Sequence, residues 1–322
     1  MPQPEIELMG PERATLEDIE ALNRLFADAF TDRYHRDGMT GVRVPFLNPL
    51  VWRYAIEDAG EGAMLWRDGE GRLAAFNMVH QSGAEGWMGP LAVRPQLQGT
   101  GVGTRIVREG ITWLQGRGAR IIGLETMPRT VENIGFYSGL GFAPGHLTIS
   151  MVKELDFGSP PGLAGIRLPA AGEARRELLE VARALTGRLA PGVDYTRELA
   201  LTEDLALGGT TFVPAAGQPR AFALWHQAAL AHGRTSDEIR VLKVVAADRA
   251  AFLDAVRAVE RQAADIGGIL RVSIRCQSDF RGAYTALLDL GYRVHWTDLR
   301  MTWSDQGPGP DPAAIVLSNW EI

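Results

Sequence analysis

Gly99, Gly101 and Gly103 alternate with other residues in Gln98-Gly99-Thr100-Gly101-Val102-Gly103, between an apolar strand-like run, Leu91-Ala92-Val93, and a helical pattern of Ile106, Val107, Ile111, Trp113 and Leu114. Glycine at such a junction lets successive backbone N–H groups point into one space, with the positive end of a helix behind them. The chemistry offered is anion binding. Two nucleotide motifs fit poorly. A Walker loop needs lysine after its last glycine, where this chain has Thr104 and Arg105. A dinucleotide fingerprint needs G-x-G-x-x-G after the first strand of a parallel sheet, whereas this cluster is G-x-G-x-G after a meander. The one cysteine, Cys276, excludes an internal disulfide and a cysteine metal cluster; in the apolar run 270–276 it reads as core, and no metal site is expected.

The elements that must position the loop follow from periodicity. A helix begins after Thr15, which caps it with Asp18; Ile19, Leu22, Leu25, Phe26, Ala29 and Phe30 share one face, and the helix ends near Thr31. A polar and aromatic loop covers residues 31–48, and a short helix with Leu50, Trp52 and Tyr54 covers 49–57. Residues 63–67, 73–79 and 87–93 read as an antiparallel meander, its first turn being Asp68-Gly69-Glu70-Gly71. After the glycine loop and its helix come a buried strand at 121–126, a short helix at 131–139 and a closing strand at 146–155.

This order, with the Q-x-x-G-x-G loop and the later Phe136-Tyr137-Ser138-Gly139-Leu140-Gly141-Phe142, resembles the GCN5-related N-acetyltransferases (GNAT) over residues 5–155. The resemblance implies that Gln98, Gly99, Thr100, Gly101, Val102, Gly103 and Thr104 bind the pyrophosphate of acetyl-CoA. It implies that Leu91, Ala92 and Val93 hold the pantetheine arm and supply a backbone N–H to the developing oxyanion. Asn133 is similar in position to family residues that touch the coenzyme, helix capping being the alternative. In the family's direct transfer to an amine, Tyr137 is the acid for the leaving thiolate, and a phenol pKa of about 10 keeps it protonated at neutral pH; the alternative is a core tyrosine. Family members with a base carry a glutamate on the strand at 87–93, which here has no carboxylate. Glu125 and Glu85 are the nearest candidates, with His80, His35 or an ordered water as alternatives. The acceptor pocket implied lies between the first two helices, where Asp32, Tyr34, His35, Asp37 and Phe46 stand before Trp52; Tyr34, His35 and Phe46 are taken as acceptor-binding.

Asp156-Phe157-Gly158-Ser159-Pro160-Pro161-Gly162 denies both helix and ladder hydrogen bonds and marks a boundary. The expected organisation is a first domain at 1–155, a linker at 156–164, a second domain at 165–303 and a tail at 304–322. The second half repeats the first: a strand at 165–168, helices at 173–185 and 195–205, and strands at 210–214, 220–230 and 238–246. A helix at 249–264, a strand at 269–276, a short helix at 284–288 and a strand at 293–303 complete it. Leu124 to Phe142 and Ile274 to Tyr292 span the same interval. The fold class expected is mixed α/β, two tandem GNAT folds, each a mostly antiparallel mixed sheet flanked by helices. The second copy is degenerate. Its loop, Val245-Ala246-Ala247-Asp248-Arg249-Ala250, has no glycine and places Asp248 where a pyrophosphate would sit, and Leu287 stands where the first copy has Tyr137. It is expected to wall the acceptor site or form a subunit interface. The run 314–317 in the tail reads as a strand at a sheet edge.

The length of 322 residues suits two domains, and 46% apolar with 22% charged residues is globular composition. A net charge of −6 without basic runs argues against nucleic acid as a partner. No apolar run approaches the roughly 20 residues of a membrane span, and Met1-Pro2-Gln3-Pro4-Glu5 lacks a signal peptide's regions. A cytoplasmic protein without a membrane partner is expected. The function expected is acetyl-CoA-dependent N-acetyl transfer to the primary amine of a small molecule. Transfer to a protein or peptide amine, and non-catalytic acyl-CoA binding or sensing, are the alternatives; the acceptor, the acyl length and homo-oligomer formation stay open.

Overall fold

The structure, a computed structural model, describes residues 8–156, 163–214, 219–307 and 309–321. The linker expected at 156–164 falls mostly on 157–162, outside the described residues. The first half runs β1 (Leu8–Arg13), α1 (Ile19–Arg36), α2 (Pro49–Ala59), β2 (Ala63–Asp68), β3 (Leu73–Ser82), β4 (Glu85–Val93), α3 (Val102–Gly116), β5 (Ile121–Thr126), α4 (Val131–Gly139) and β6 (Ala143–Glu154). The second half continues with β7 (Ile166–Arg167), α5 (Glu173–Leu189), α6 (Thr196–Asp204), β8 (Gly208–Val213), β9 (Ala221–His226) and β10 (Glu238–Ala246). It ends with α7 (Arg249–Ile266), β11 (Arg271–Gln277), α8 (Arg281–Asp289), β12 (Arg293–Asp305) and β13 (Ile315–Ser318).

Periodicity set most of these elements, and the departures have local causes. The Thr15–Asp18 pair closes a capping box around a short 3-10 turn, and α1 follows it. Rather than ending near Thr31, α1 continues to Arg36, its last turn supported by the i,i+4 ion pairs Arg36–Asp32 and Arg33–Asp37, both at 2.7 Å. Asp32, Tyr34 and His35 are therefore helical, Asp37 is the C-cap of α1, and Phe46 remains in the loop before α2. β1 escapes strand patterning because Gly10-Pro11 interrupts it; it pairs antiparallel with β2 across a register shift between Met9 and Glu12.

All the strands join one sheet, ordered β1-β2-β3-β4-β5-β12-β6-β11-β10-β9-β8-β7. The two halves exchange their last strands: β12 pairs with β5, β6 pairs with β11, and β6 and β12 pair with each other in the middle. β13 corrects the expectation of an edge strand. It pairs antiparallel with residues 243–246 of β10, whose other side holds β9 and whose first residues, 238–241, hold β11.

Helices cover both faces, giving two cores in each half. One first-half core packs α1 and α2 on the sheet around Leu22, Trp52, Phe76 and Trp87, and takes in Leu205, Leu207 and Trp320 from later in the chain. The other packs α3 and α4 on the opposite face. Cys276, on β11, is fully buried among apolar side chains, and burial pushes its thiol up to about 12. No helix among the described residues is long and apolar enough to cross a membrane.

Candidate active site

β4 pairs with β3 throughout, but its register shifts between Asn77 and Val79, so that Gly89 and Pro90 together oppose Met78. The bulge turns β4 away from β5: residues 85–88 pair with 121–124, and residues 89–93 have no strand partner on that side among the described residues. A gap lined by free main chain opens there. At its end, Gln98 Nε2 donates to the Val93 carbonyl at 3.1 Å, and Thr100 Oγ1 donates to the Leu97 carbonyl at 2.6 Å, fixing the entry to the loop.

Gly99 and Gly101 have φ of +77° and +92°, which a side chain resists, and a Cβ on either would meet no protein atom within 4 Å. Gly103 serves packing instead, since a Cβ there would lie 3.3 Å from the Phe136 ring on α4. Gly101 is the N-cap of α3, and no side chain caps this helix. The N–H groups of Val102, Gly103 and Thr104 therefore face open space at the positive end of a 15-residue helix. Backbone donors, a vacant cap and an unpaired strand edge fit the pyrophosphate and amide arm of an acyl-CoA.

Tyr137 lies on α4 between Phe136 and Phe142, with ring centroids at 5.1 and 5.8 Å. It is 7% exposed, and burial alone raises its pKa above the usual 10, so the phenol holds its proton. Asn133 does not cap α4, whose N-cap is Thr130; its Nδ2 reaches Thr126 Oγ1 at 3.4 Å, tying α4 to the end of β5.

The carboxylates and histidines singled out from sequence are mostly committed elsewhere. Glu125 is buried, with Oε1 held by Arg300 Nη2 at 2.7 Å and Oε2 by Arg275 Nη2 at 2.8 Å, while Thr148 donates to Oε1. Burial alone would raise its pKa, but Arg300 and Arg275 outweigh it and lower it. Glu85 is buried too, accepting from Tyr195 Oη and Ser318 Oγ, both at 2.7 Å, and from Trp320 Nε1. Burial is again outweighed, here by Lys243 and Arg300, and its pKa is lowered. His80 pairs with Asp58 at 2.5 Å and stacks on Trp87, both rings inside the core. His35 Nε2 meets the Val42 carbonyl at 2.8 Å. Asp37 is taken by Arg33 and by Thr130 Oγ1. Phe46 is 40% exposed, with its carbonyl accepting from His232 N.

Tyr34 differs. It is partly buried, and its pKa is raised by burial and then by the charges of Glu321, Asp298 and Asp37, the first two from the far end of the chain. Arg275 joins Glu321, Asp298 and Glu125, and Arg300 binds Glu125 and lies over the Trp320 ring; sequence reading named none of Arg275, Asp298, Arg300, Trp320 and Glu321. Their approach depends on strand exchange, for which no local pattern exists.

The equivalent position in the second half is closed in two ways. Asp248 caps α7, its Oδ1 accepting from Ala251 N at 2.9 Å, which fills the helix end with a carboxylate. β13 lies along residues 243–246 of β10, where the first half has its gap. Leu287, in the place corresponding to Tyr137, is fully buried.

Residues 19–142 match the model of the acetyltransferase (GNAT) family. No protein with a curated description matches the chain. Similar solved structures include one from Pyrococcus horikoshii, at TM-score 0.68 and 14% identity, covering 97% of this chain and 95% of its own. A GCN5-related N-acetyltransferase from Sphaerobacter thermophilus has TM-score 0.58 and 18% identity, covering 95% and 98%. A tandem GNAT protein of the clavulanic acid biosynthesis pathway has TM-score 0.61 and 14% identity, covering 95% and 100%. At these identities the likeness is one of fold, and it extends over both halves.

Proposed function

We propose, from the match of residues 19–142 to the acetyltransferase (GNAT) family model and the fold shared with a tandem GNAT protein, an acetyl-CoA-dependent N-acetyltransferase acting on the primary amine of a small molecule. We take residues 1–155 as the catalytic copy, 156–164 as linker, 165–303 as the degenerate copy and 304–322 as a tail that completes the site. The observation that carries the reading is the contrast between halves: the first has an open strand edge, left-handed glycines and an uncapped helix, and the second has the same place filled.

The coenzyme, when bound, supplies an acyl group activated as a thioester. In this reading the N–H groups of residues 99–104 hold its pyrophosphate, and the free edge of Leu91, Ala92 and Val93 hydrogen-bonds the pantetheine amides. A main-chain N–H near Leu91 receives the negative charge that develops on the acyl oxygen. Tyr137 then gives its proton to the departing sulfur. A phenol in an apolar setting suits that task, because it is still protonated at neutral pH and can hydrogen-bond the negative charge building on the sulfur, its proton passing across as the C–S bond breaks. Glu125 is better suited to anchoring Arg275 and Arg300 than to accepting a proton, since guanidinium groups occupy both its oxygens.

Tyr137→Phe tests the assignment. Its ring can keep its packing, so acetyl-CoA affinity by calorimetry is expected to stay within about twofold while kcat falls about 100-fold or more. Unchanged kcat would remove Tyr137 from the chemistry, and affinity without any turnover of the parent on a broad amine panel would favour a sensing module.

A further inference from the structure

Past Asn319, whose N–H still reaches the Leu242 carbonyl at 2.9 Å, the chain leaves β10 and crosses to the first half. Trp320 is 2% exposed, and its ring lies where a Cβ on Gly123 would approach within 2.4 Å. Its backbone oxygen is 3.7 Å from the position of a Cβ on Gly89, the bulge residue at which β4 leaves β5. Glu321 comes next, tied through Arg275 to Glu125, the residue of β5 that follows the last one paired with β4. Its Oε2 meets Arg275 Nη1 at 2.6 Å, and Arg275 Nη2 also holds Asp298 at 2.9 Å and Glu125 at 2.8 Å. Glu125 is further satisfied by Arg300, so Asp298 and Glu321 share what remains of one guanidinium. From the first half, Tyr34 feels the charge of the same pair, which raises its pKa. Asp298 is 3% exposed, whereas 47% of the Glu321 side chain is open, so a solute can reach Glu321 alone of these carboxylates.

We propose that Glu321 is a catalytic residue on the acceptor side, binding the acceptor's ammonium and taking a proton from it, so that the substrate is a small organic cation with a primary amine. The proposal rests on reading the first half as an acyltransferase. Glu321 accepts one proton from the ammonium, and the freed lone pair forms the C–N bond as the acyl carbon's bond to sulfur breaks. Tyr137 protonates the sulfur and recovers a proton from the new amide nitrogen, while Glu321 releases its own to solvent. The sum is amide, free thiol and one proton.

The surrounding charges suit a base near neutrality. Crowding by protein raises the pKa of Glu321, opposed by Arg275 and Arg240 and assisted by Asp298 and Glu125, to about 7, and solvent at its open side moderates the rise. The carboxylate form, present above that value, is the one that accepts a proton, so kcat/KM rises as pH increases through it.

The experiment uses the full chain with acetyl-CoA and a panel of alkylamines, polyamines, amino sugars and amino-acid amides, from pH 5.5 to 9.5. For Glu321→Gln the expected result is a fall of about 100-fold in kcat/KM on the best acceptor and loss of the acidic limb. Acetyl-CoA affinity and melting midpoint stay at parent values, and Glu321→Asp restores part of the rate. A Glu321→Gln profile with the parent's limb and a rate within about threefold would overturn the proposal. So would a parent that binds acetyl-CoA and acetylates no amine of the panel. A parent that does not bind acetyl-CoA would sink the acyltransferase reading itself.

Discussion

Gly101 carries a demand no other residue type meets cheaply, a left-handed φ of +92° at the cap of α3 with open space before it. Gly101→Ala is expected to cost roughly 1 kcal/mol of stability and at least about tenfold in acetyl-CoA affinity, because relief of the strain reorients the N–H groups behind it. Gly116→Ala, also facing open space but at the far end of α3 without a positive φ, should leave affinity unchanged; equal losses in calorimetry would refute the role of the loop. Residues such as these are legible in sequence because loop, preceding strand and following helix are contiguous. Glu125 is not. Read alone it is a carboxylate near a strand end, and its partners Arg275 and Arg300 stand 150 and 175 positions away. Glu321 escapes notice for the same reason, its partner Arg275 standing 46 positions away.

Most elements were readable from period and punctuation, α4 to its terminal residues, because apolar spacing and turn glycines act locally. Their pairing was not. Nothing in β6 or β12 distinguishes a strand that closes its own half from one that crosses into the other, since both need only an apolar, two-sided pattern. The exchange has a consequence for β5 and β11: each has as neighbour a strand from the other half, and without it would expose an unpaired edge. Cutting the chain once between residues 156 and 163 should therefore leave two fragments that elute together in gel filtration and melt as one unit. Fragments that separate as folded monomers would show that the exchange is not what holds them. The placement of β13 was equally invisible, because an edge and a gap inside a sheet ask the same of a short apolar strand.

At the scale of the molecule, the two copies differ at the equivalent place in the sheet. The second has filled its own gap with β13, and the buried Lys243 locks that strand, donating to Ser318 Oγ and to the Asn319 carbonyl, each at 2.9 Å, and facing Glu198 at 3.4 Å. A buried cation is tolerated only with such partners, and removing one of a buried pair typically costs about 3–5 kcal/mol. The same tail delivers Trp320 to the first half's core and sets Glu321 against Arg275. In the proposed reading one copy keeps the means to hold a coenzyme while the other contributes structure to the acceptor side. The direct measure of this division is the binding stoichiometry of acetyl-CoA on the intact chain by calorimetry. One molecule per chain, with affinity lost in Gly101→Ala, is the predicted result; no binding, or two molecules per chain, would contradict it.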